Sequence, residues 1–360
     1  MTDHHPPLQD GYIDAPHRSI PIGRFVLESG EAIEDAFVSC AVHGDLADRS
    51  KPLAIALTAI GSTHHRLDFL IGPKRALDPS RMRIVAIDAL GNGLSVSPSN
   101  SVRQPGMAFP RFGIRDMVRS QQRLLAALGV DGIDLVIGAS MGGMQALQWG
   151  VLFPDFADRI VALTPMAKTA AWAAAVNQSA RQCLLAKLAG AQPPYDATVW
   201  EAWTPLMQLL AMRTPAQVES QFLSSSEMHA WLDARTRWWA AQRFDPVDWI
   251  YQSWAYDDHD VGQSPGFDGD TARALASIRA PVLVASAPLD LYNPVECACW
   301  AAQQIPRGEY LRIDSPWGHV VASAADADGA RQLNREISRF LERTGMMAPA
   351  LQGEQKSPRS

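Results

Sequence analysis

A serine flanked by glycines, directly after an apolar run, is the feature of this sequence best suited to chemistry. The run 133–137 (IDLVI) leads into 138–142 (GASMG), and helix-forming residues follow at 144–149. A strand, then G-x-S-x-G, then a helix is the pattern of a nucleophile elbow, a sharp turn that exposes the serine. Small neighbours make room for the turn, and the free amides of the new helix face the position of a developing oxyanion. Ser140 is therefore the candidate nucleophile.

A nucleophilic serine needs a base, and two residues further along the chain fit that need. Asp290 follows the apolar run 280–285, and His319 follows a strand predicted at 310–313. The order Ser, Asp, His is the chain order of α/β-hydrolases. His319 would accept the serine proton and return it to the leaving group, while Asp290 would orient the imidazole. Alone, the pair would be read as a turn aspartate and a loop histidine; the elbow and the chain order favour a catalytic triad.

An oxyanion hole would be completed by two backbone amides. The first belongs to Met141, the residue after the nucleophile, and the second comes from the loop after an earlier core strand. The apolar run 52–57 predicts that strand, and 58–65 is the loop, so we expect Leu57 or Thr58 to supply the second amide.

Other polar residues have weaker claims to catalysis. Asp88 follows a strand predicted at 83–87. An aspartate at that place more often fixes the glycine-rich loop after it than takes part in catalysis. His64 and His65 lie in a predicted loop, and His259 lies in an acidic stretch.

Strands and helices alternate over much of the chain, which predicts a mostly parallel sheet flanked by helices. Residues 25–43 predict two antiparallel edge strands with a turn at 29–31, and residues 114–128 and 335–341 predict helices. The alternation is interrupted between 168 and 269, where helix formers dominate and eight of the eleven tryptophans occur. We expect a core at 1–167 and 270–345, a helical cap inserted at 168–269 and a mobile tail at 346–360. Most cap tryptophans would pack helices together, and a few would line the pocket.

Composition narrows the classes of partner. A formal net charge of −6 argues against nucleic acid or an anionic membrane as the main partner. The four cysteines have no metal-ligand spacing, so no metal is expected. No run approaches the ~18 apolar residues of a membrane span, and a cytoplasmic protein acting on a small molecule is expected. The tryptophan-rich cap could supply a homodimer interface.

Nearly the whole chain resembles the homoserine O-acetyltransferase group of the α/β-hydrolase superfamily. The matching segments are 56–58 (ALT), 72–78 (GPKRALD), 140–149 (SMGGMQALQW), 244–257, 260–262 (DVG) and 318–319 (GH). The resemblance implies an α/β-hydrolase fold, the triad Ser140, Asp290 and His319, and a ping-pong route through an acyl-serine. It also implies acetyl-CoA or another acyl-CoA as a co-substrate if the protein is a transferase, and no bound cofactor or metal.

The sequence departs from that group at the acceptor site. The group follows its catalytic histidine with an aspartate that holds the homoserine amine, and here that position is Val320. An apolar side chain cannot pair with an ammonium group, and leaving such a charge unpaired in a closed pocket costs several kcal/mol. Arg181 and Arg213 are both candidates for the cap arginine that would bind an amino-acid carboxylate.

Three functions are therefore compared. In the first, water intercepts the acyl-serine, and the protein hydrolyses a small ester, lactone, thioester or amide. In the second, a CoA-dependent O-acyltransferase passes the group to homoserine or another alcohol. In the third, the fold is a catalytically silent binding protein, although such proteins usually lose the serine or the histidine. We favour hydrolysis because the acceptor position is apolar and the hydrolytic residues are all present.

Overall fold

A computed structural model describes residues 8–242 and 244–347. Within them, eight strands form one sheet in the order β1-β2-β4-β3-β5-β6-β7-β8. The strands are β1 (His17–Val26), β2 (Ala32–His43), β3 (Leu53–Leu57), β4 (Arg83–Ile87), β5 (Leu135–Ala139), β6 (Ile160–Leu163), β7 (Val282–Ser286) and β8 (Gly308–Arg312).

The sheet confirms the predicted strand directions. β1 pairs antiparallel with β2, which in turn pairs antiparallel with β4, and every later pairing is parallel. β3 to β7 are covered on both faces, so nearly every residue in them is buried. That burial explains why these strands read as continuous apolar runs rather than as alternating patterns.

Ten α-helices surround the sheet in the described part of the chain. They are α1 (Ile114–Ala127), α2 (Met141–Leu152), α3 (Ala171–Leu188), α4 (Trp200–Met207), α5 (Pro215–Gln221), α6 (Ser225–Ala241), α7 (Pro246–Asp257), α8 (Thr271–Ala276), α9 (Val295–Gln304) and α10 (Ala327–Arg343). Short 3₁₀ turns include His64–Leu70 and Gly318–Val321, and a π-helical turn spans Gln208–Met212. The last helix starts earlier than the predicted 335, because Asp326 caps it by accepting a hydrogen bond from the Gly329 amide.

The chain between β6 and β7 contains only helices, α3 to α8, among its named elements. Four of the tryptophans there are buried: Trp200, Trp203, Trp239 and Trp249. Trp203 packs edge-on against each of the other three, with ring centroids 5.0 to 5.3 Å apart. The division into core and cap at 168 and 269 stays a prediction. Of the predicted tail, only residues 346 and 347 lie within the described residues.

None of the helices in the described ranges is long and apolar enough to cross a membrane. The predictions of a cytoplasmic location and of a homodimer stay predictions.

The strand-to-helix turn after β5 depends on two glycines. A Cβ on Gly138 would lie 2.1 Å from the Gly142 carbonyl oxygen, and a Cβ on Gly142 would lie 2.5 Å from the Leu57 oxygen. Both obstacles are backbone atoms, which cannot rotate away. Helix α2 can therefore cross directly above β5 and β3 only if these positions carry no side chain.

Replacing Gly138 with alanine is expected to destabilise the fold, by ~3 kcal/mol or more, because the methyl group would force the turn apart. Thermal or denaturant unfolding measures this cost. Gly132→Ala is the matched control, since a Cβ there meets nothing within 4 Å. Equal unfolding midpoints for the two variants would contradict the close crossing of α2.

Candidate active site

Ser140 lies between β5 and α2 in a backbone conformation that few non-glycine residues adopt. Its φ is 57° and its ψ is −123°. Its amide donates to the Leu163 oxygen at 2.8 Å, and its carbonyl accepts from the Met144 amide at 3.0 Å. These bonds, together with the close packing at Gly138 and Gly142, hold the strained turn in place. The predicted elbow is thus present in the structure.

The structure brings together the three residues that the sequence assigned to a triad. His319 Nε2 lies 2.8 Å from Ser140 Oγ, and His319 Nδ1 lies 2.8 Å from Asp290 Oδ2. Asp290 follows β7 and His319 lies in the 3₁₀ turn after β8, so both reach the carboxyl edge of the sheet where Ser140 emerges. When the Asp290 carboxylate accepts a hydrogen bond from His319 Nδ1–H, the other ring nitrogen, Nε2, carries no proton. Nε2 can then accept the proton of Ser140.

Asp290 is fixed by its own loop. Its Oδ1 accepts hydrogen bonds from the amides of Tyr292 at 2.9 Å and Asn293 at 2.8 Å. Two amide donors stabilise the ionised carboxylate and leave Oδ2 free to face the imidazole.

The backbone expected to form an oxyanion hole is held by a buried side chain that the sequence analysis missed. Gln145, on the second turn of α2, donates from Nε2 to the Thr58 oxygen at 3.0 Å and to the Met141 oxygen at 3.2 Å. One amide group therefore links the loop after β3 to the first turn of α2. A glutamine inside an apolar helix was the available signal, since a buried polar side chain needs partners.

Gln145 is itself held by a chain of fully buried side chains. Its Oε1 accepts from Gln121 Nε2 at 2.5 Å, and Gln121 Oε1 accepts from the Trp149 indole at 2.7 Å. Each member has its partner, so the network fixes the orientation of the Gln145 amide.

Helix α7 contacts two of the loops around the site. Gln252 accepts from the Gly61 amide at 2.9 Å, in the loop after β3, and donates to the Leu90 oxygen at 3.2 Å, in the loop after β4. One turn earlier, Asp248 accepts from the Ser99 amide at 2.9 Å. The helix that lies over the sheet edge is thus hydrogen-bonded to the loop that would carry the second oxyanion donor.

Two tyrosines that sequence reasoning missed lie beside the triad. Tyr256, from α7, donates to Asn293 Oδ1 at 2.5 Å, and its hydroxyl is close enough to the Ser140 side chain to influence the pKa of the phenol. Its ring stacks on that of Tyr292 with centroids 5.4 Å apart, and Tyr292 packs edge-on against His319 at 5.0 Å. Burial raises the pKa of Tyr256, so the phenol stays protonated at neutral pH. Nothing in the sequence pattern distinguished these tyrosines from core aromatics.

Arg181 and Arg213, the two candidates for carboxylate binding, differ sharply in their surroundings. Arg181 is bound within the protein, to Asp257 at 2.8 Å and to Ser253 Oγ at 2.9 Å. Arg213 lies between the rings of Trp231 and Trp317, at 4.8 and 5.2 Å from their centroids. Its role as a substrate ligand stays a prediction, as does that of Arg181.

The guanidinium of Arg213 is the better placed of the two to bind a ligand. Among the described residues, its buried Nε and Nη1 have no hydrogen-bond partner. Burial and the nearby Arg235 lower the pKa of Arg213 to about 10. Trp317 precedes the His319 turn, where Val320 is half-buried. Unpaired donors beside Trp317, two residues before His319, are suited to bind an acceptor-rich group of a substrate.

Asp88 fixes the loop that follows it, as predicted, by accepting from Asn92 Nδ2 at 2.9 Å. It also accepts from the His64 amide at 2.8 Å and lies 2.9 Å from His64 Nδ1. The sequence predicted a loop at His64 and His65, but the two residues begin the 3₁₀ turn His64–Leu70. His17 also belongs to this group. The side-chain atoms of His17, His64 and Asp88 that could coordinate a metal ion lie within 4.8 Å of one another. The Asp88 oxygens are already occupied by protein donors, which is typical of a structural cluster.

Comparison with known proteins places this geometry in context. The family model for the alpha/beta hydrolase fold matches residues 69–186. A homoserine O-acetyltransferase from Chlorobium chlorochromatii is 30% identical over 82% of this chain and 87% of its own length. An ethyl acetate hydrolase from Pseudomonas veronii is also 30% identical, over 91% of this chain and 95% of its own length.

Two solved structures of ester hydrolases resemble this chain. The acetyl esterase MekB superposes with a TM-score of 0.84 at 27% identity, covering 91% of this chain and 97% of its own. An acetylester hydrolase from Corynebacterium glutamicum superposes with a TM-score of 0.83 at 27% identity, covering 91% and 96%. These similarities confirm the predicted fold class and the prediction of a serine ester hydrolase or acyltransferase.

Gln145→Met is expected to lower kcat about tenfold while leaving KM unchanged, because it loosens the loop after β3 without deleting a backbone donor. Steady-state hydrolysis of p-nitrophenyl acetate measures both constants. Gln148→Met is the matched control: Gln148 is equally buried on α2, but it donates to Ser264 Oγ at 2.9 Å. A similar kcat for both variants would mean that Gln145 only fills space.

Proposed function

This chain belongs to the α/β-hydrolase superfamily, in the group that includes the homoserine O-acetyltransferases, and we propose that it hydrolyses small acetyl esters through an acyl-Ser140 intermediate. The observation that carries the proposal is the continuous hydrogen-bonded series Ser140, His319 and Asp290. It supplies a nucleophile, a general base and an orienting carboxylate at one point of the sheet edge.

In the first half of the reaction, Ser140 Oγ attacks the ester carbonyl and its proton moves to His319 Nε2. The imidazolium that forms is stabilised by Asp290. The carbonyl oxygen becomes an oxyanion that the amides of Met141 and of Leu57 or Thr58 bind. His319 then gives the proton to the departing alcohol, and the acetyl group stays on Ser140.

In the second half, a water molecule replaces the alcohol and regenerates the serine. Hydrolysis is favoured over transfer because Val320 stands where the resemblance places an amine-binding aspartate, so the site lacks that anchor for homoserine. The relatives named ethyl acetate hydrolase and acetyl esterase support an acetyl group as the acyl part.

The second candidate function is transfer of an acyl group from acetyl-CoA to an alcohol. The homoserine O-acetyltransferase relative, equally identical in sequence, favours it. In that reaction Arg213 would bind a carboxylate or another acceptor-rich group with its unpaired Nε and Nη1, and the triad would act as in hydrolysis. Whether the protein keeps water away from the acyl-serine would then decide between transfer and hydrolysis.

Ser140→Ala is expected to reduce p-nitrophenyl acetate hydrolysis by about 10⁴-fold or more, because the covalent route is lost. The p-nitrophenol release rate checks this, with unfolding curves to show that the fold is kept. Ser120→Ala serves as the control, since Ser120 is equally buried but only donates to the Met117 oxygen in α1. Undiminished activity of Ser140→Ala would refute the mechanism.

The choice of acceptor is tested by thiol release from acetyl-CoA. We expect no release above the Ser140→Ala blank, with or without homoserine, while p-nitrophenyl acetate is still cleaved. Val320→Asp is expected to introduce some homoserine-dependent release by pairing the ammonium group. Acceptor-dependent release by the unaltered protein would instead establish the transferase.

A further inference from the structure

The hydrogen-bond network fixes which way the proton of Tyr256 points. Asn293 Nδ2 donates to the Thr164 oxygen at 2.7 Å, so its Oδ1 must face the other way, toward Tyr256. Tyr256 Oη lies 2.5 Å from that oxygen, which has no proton, and the phenol must therefore donate to it. A tyrosine has a single hydroxyl proton, so toward Ser140 this phenol presents lone pairs.

Tyr256 is held in that position from several sides. Its side chain is fully buried, and its ring stacks on Tyr292, which packs against His319. The backbone N–H of Asn293 donates to Asp290 Oδ1. The phenol oxygen thus belongs to the same rigid cluster as the triad, on the side of Ser140 that α7 covers.

An acceptor at this point cannot stabilise an oxyanion, but it can orient a molecule that brings a proton. We propose that Tyr256 Oη accepts a hydrogen bond from the water that attacks the acyl-serine, and that it thereby favours water over alcohols in the second half-reaction. This inference rests on the proposed function.

Both protons of the water then have a defined acceptor. The water oxygen bonds to the acyl carbon while one proton moves to His319 Nε2 and the other stays on the oxygen, hydrogen-bonded to Tyr256 Oη. When the bond from the acyl carbon to Ser140 Oγ breaks, the proton on His319 passes to Oγ. The carboxylic acid leaves with the second proton.

An alcohol cannot make the same pair of contacts. Its one hydroxyl proton goes to His319, and a carbon substituent lies where the second proton of water would be. Tyr256 Oη then faces an alkyl group and stays without a donor, which is a cost that water does not meet.

The test is the partition of the acyl-enzyme between water and methanol. With p-nitrophenyl acetate as donor, initial rates of p-nitrophenol, acetate and methyl acetate formation are measured at fixed methanol. In Tyr256→Phe, the ratio of methyl acetate to acetate is expected to rise about fivefold over the unaltered protein, the effect of one lost hydrogen bond. The initial burst of p-nitrophenol should persist while steady-state turnover slows.

Two variants separate this role from a structural one. Tyr251→Phe removes another buried phenol of α7, which donates to the Phe109 oxygen at 2.6 Å, and should leave the ratio unchanged. Tyr292→Phe removes the neighbouring buried phenol, which donates to Asn177 Oδ1, and should also keep a low ratio. An unchanged ratio in Tyr256→Phe, or an equal rise in either control, overturns the proposal. A ratio in the unaltered protein that changed with the leaving group of the acetyl donor would instead contradict the shared acyl-Ser140 intermediate itself.

Discussion

The positive φ of Ser140 is the constraint on which the rest of the site depends. A non-glycine residue stays in that region only where its surroundings require it. Here the requirement comes from α2, which crosses β5 and β3 so closely that Gly138 and Gly142 admit no side chain. The same crossing brings the end of β3 beside the first turn of α2. The projecting Ser140 side chain and the nearby amides are therefore two results of the same helix packing.

The sequence was informative wherever function depends on local order. Ser140 could be recognised because an elbow needs small residues at fixed spacing between a strand and a helix, and Asp290 and His319 because they follow strands that must end at the same edge. The inner strands were recognisable because burial on both faces requires apolar runs. Each of these signals lies within a few neighbouring residues, and the chain order of the triad connects them.

Gln145, Gln252 and Tyr256 could not be found in the same way. Their partners lie far away in the chain, and which face of α2 or α7 is turned toward the site depends on how the helices pack. The direction of the Tyr256 proton is even harder to predict from the sequence. It depends on the orientation of Asn293, which in turn depends on a hydrogen bond to the Thr164 oxygen. The start of α10 was misplaced for a simpler reason: its first turns are polar and lack the apolar period that marked 335–341.

The hydrogen bonds of Gln252 connect the position of α7 to the chemistry. Ser140 is only 2% exposed and His319 only 8%, so the structure around them shields both side chains from bulk water. The bond from the Gly61 amide to Gln252 joins α7 to the loop after β3, and Gln145 holds the Thr58 oxygen of the same loop. A change in the position of α7 would therefore be transmitted to the backbone expected to bind the oxyanion. The fit of a substrate against α7 and the stabilisation of its transition state would then be two readings of the same contact.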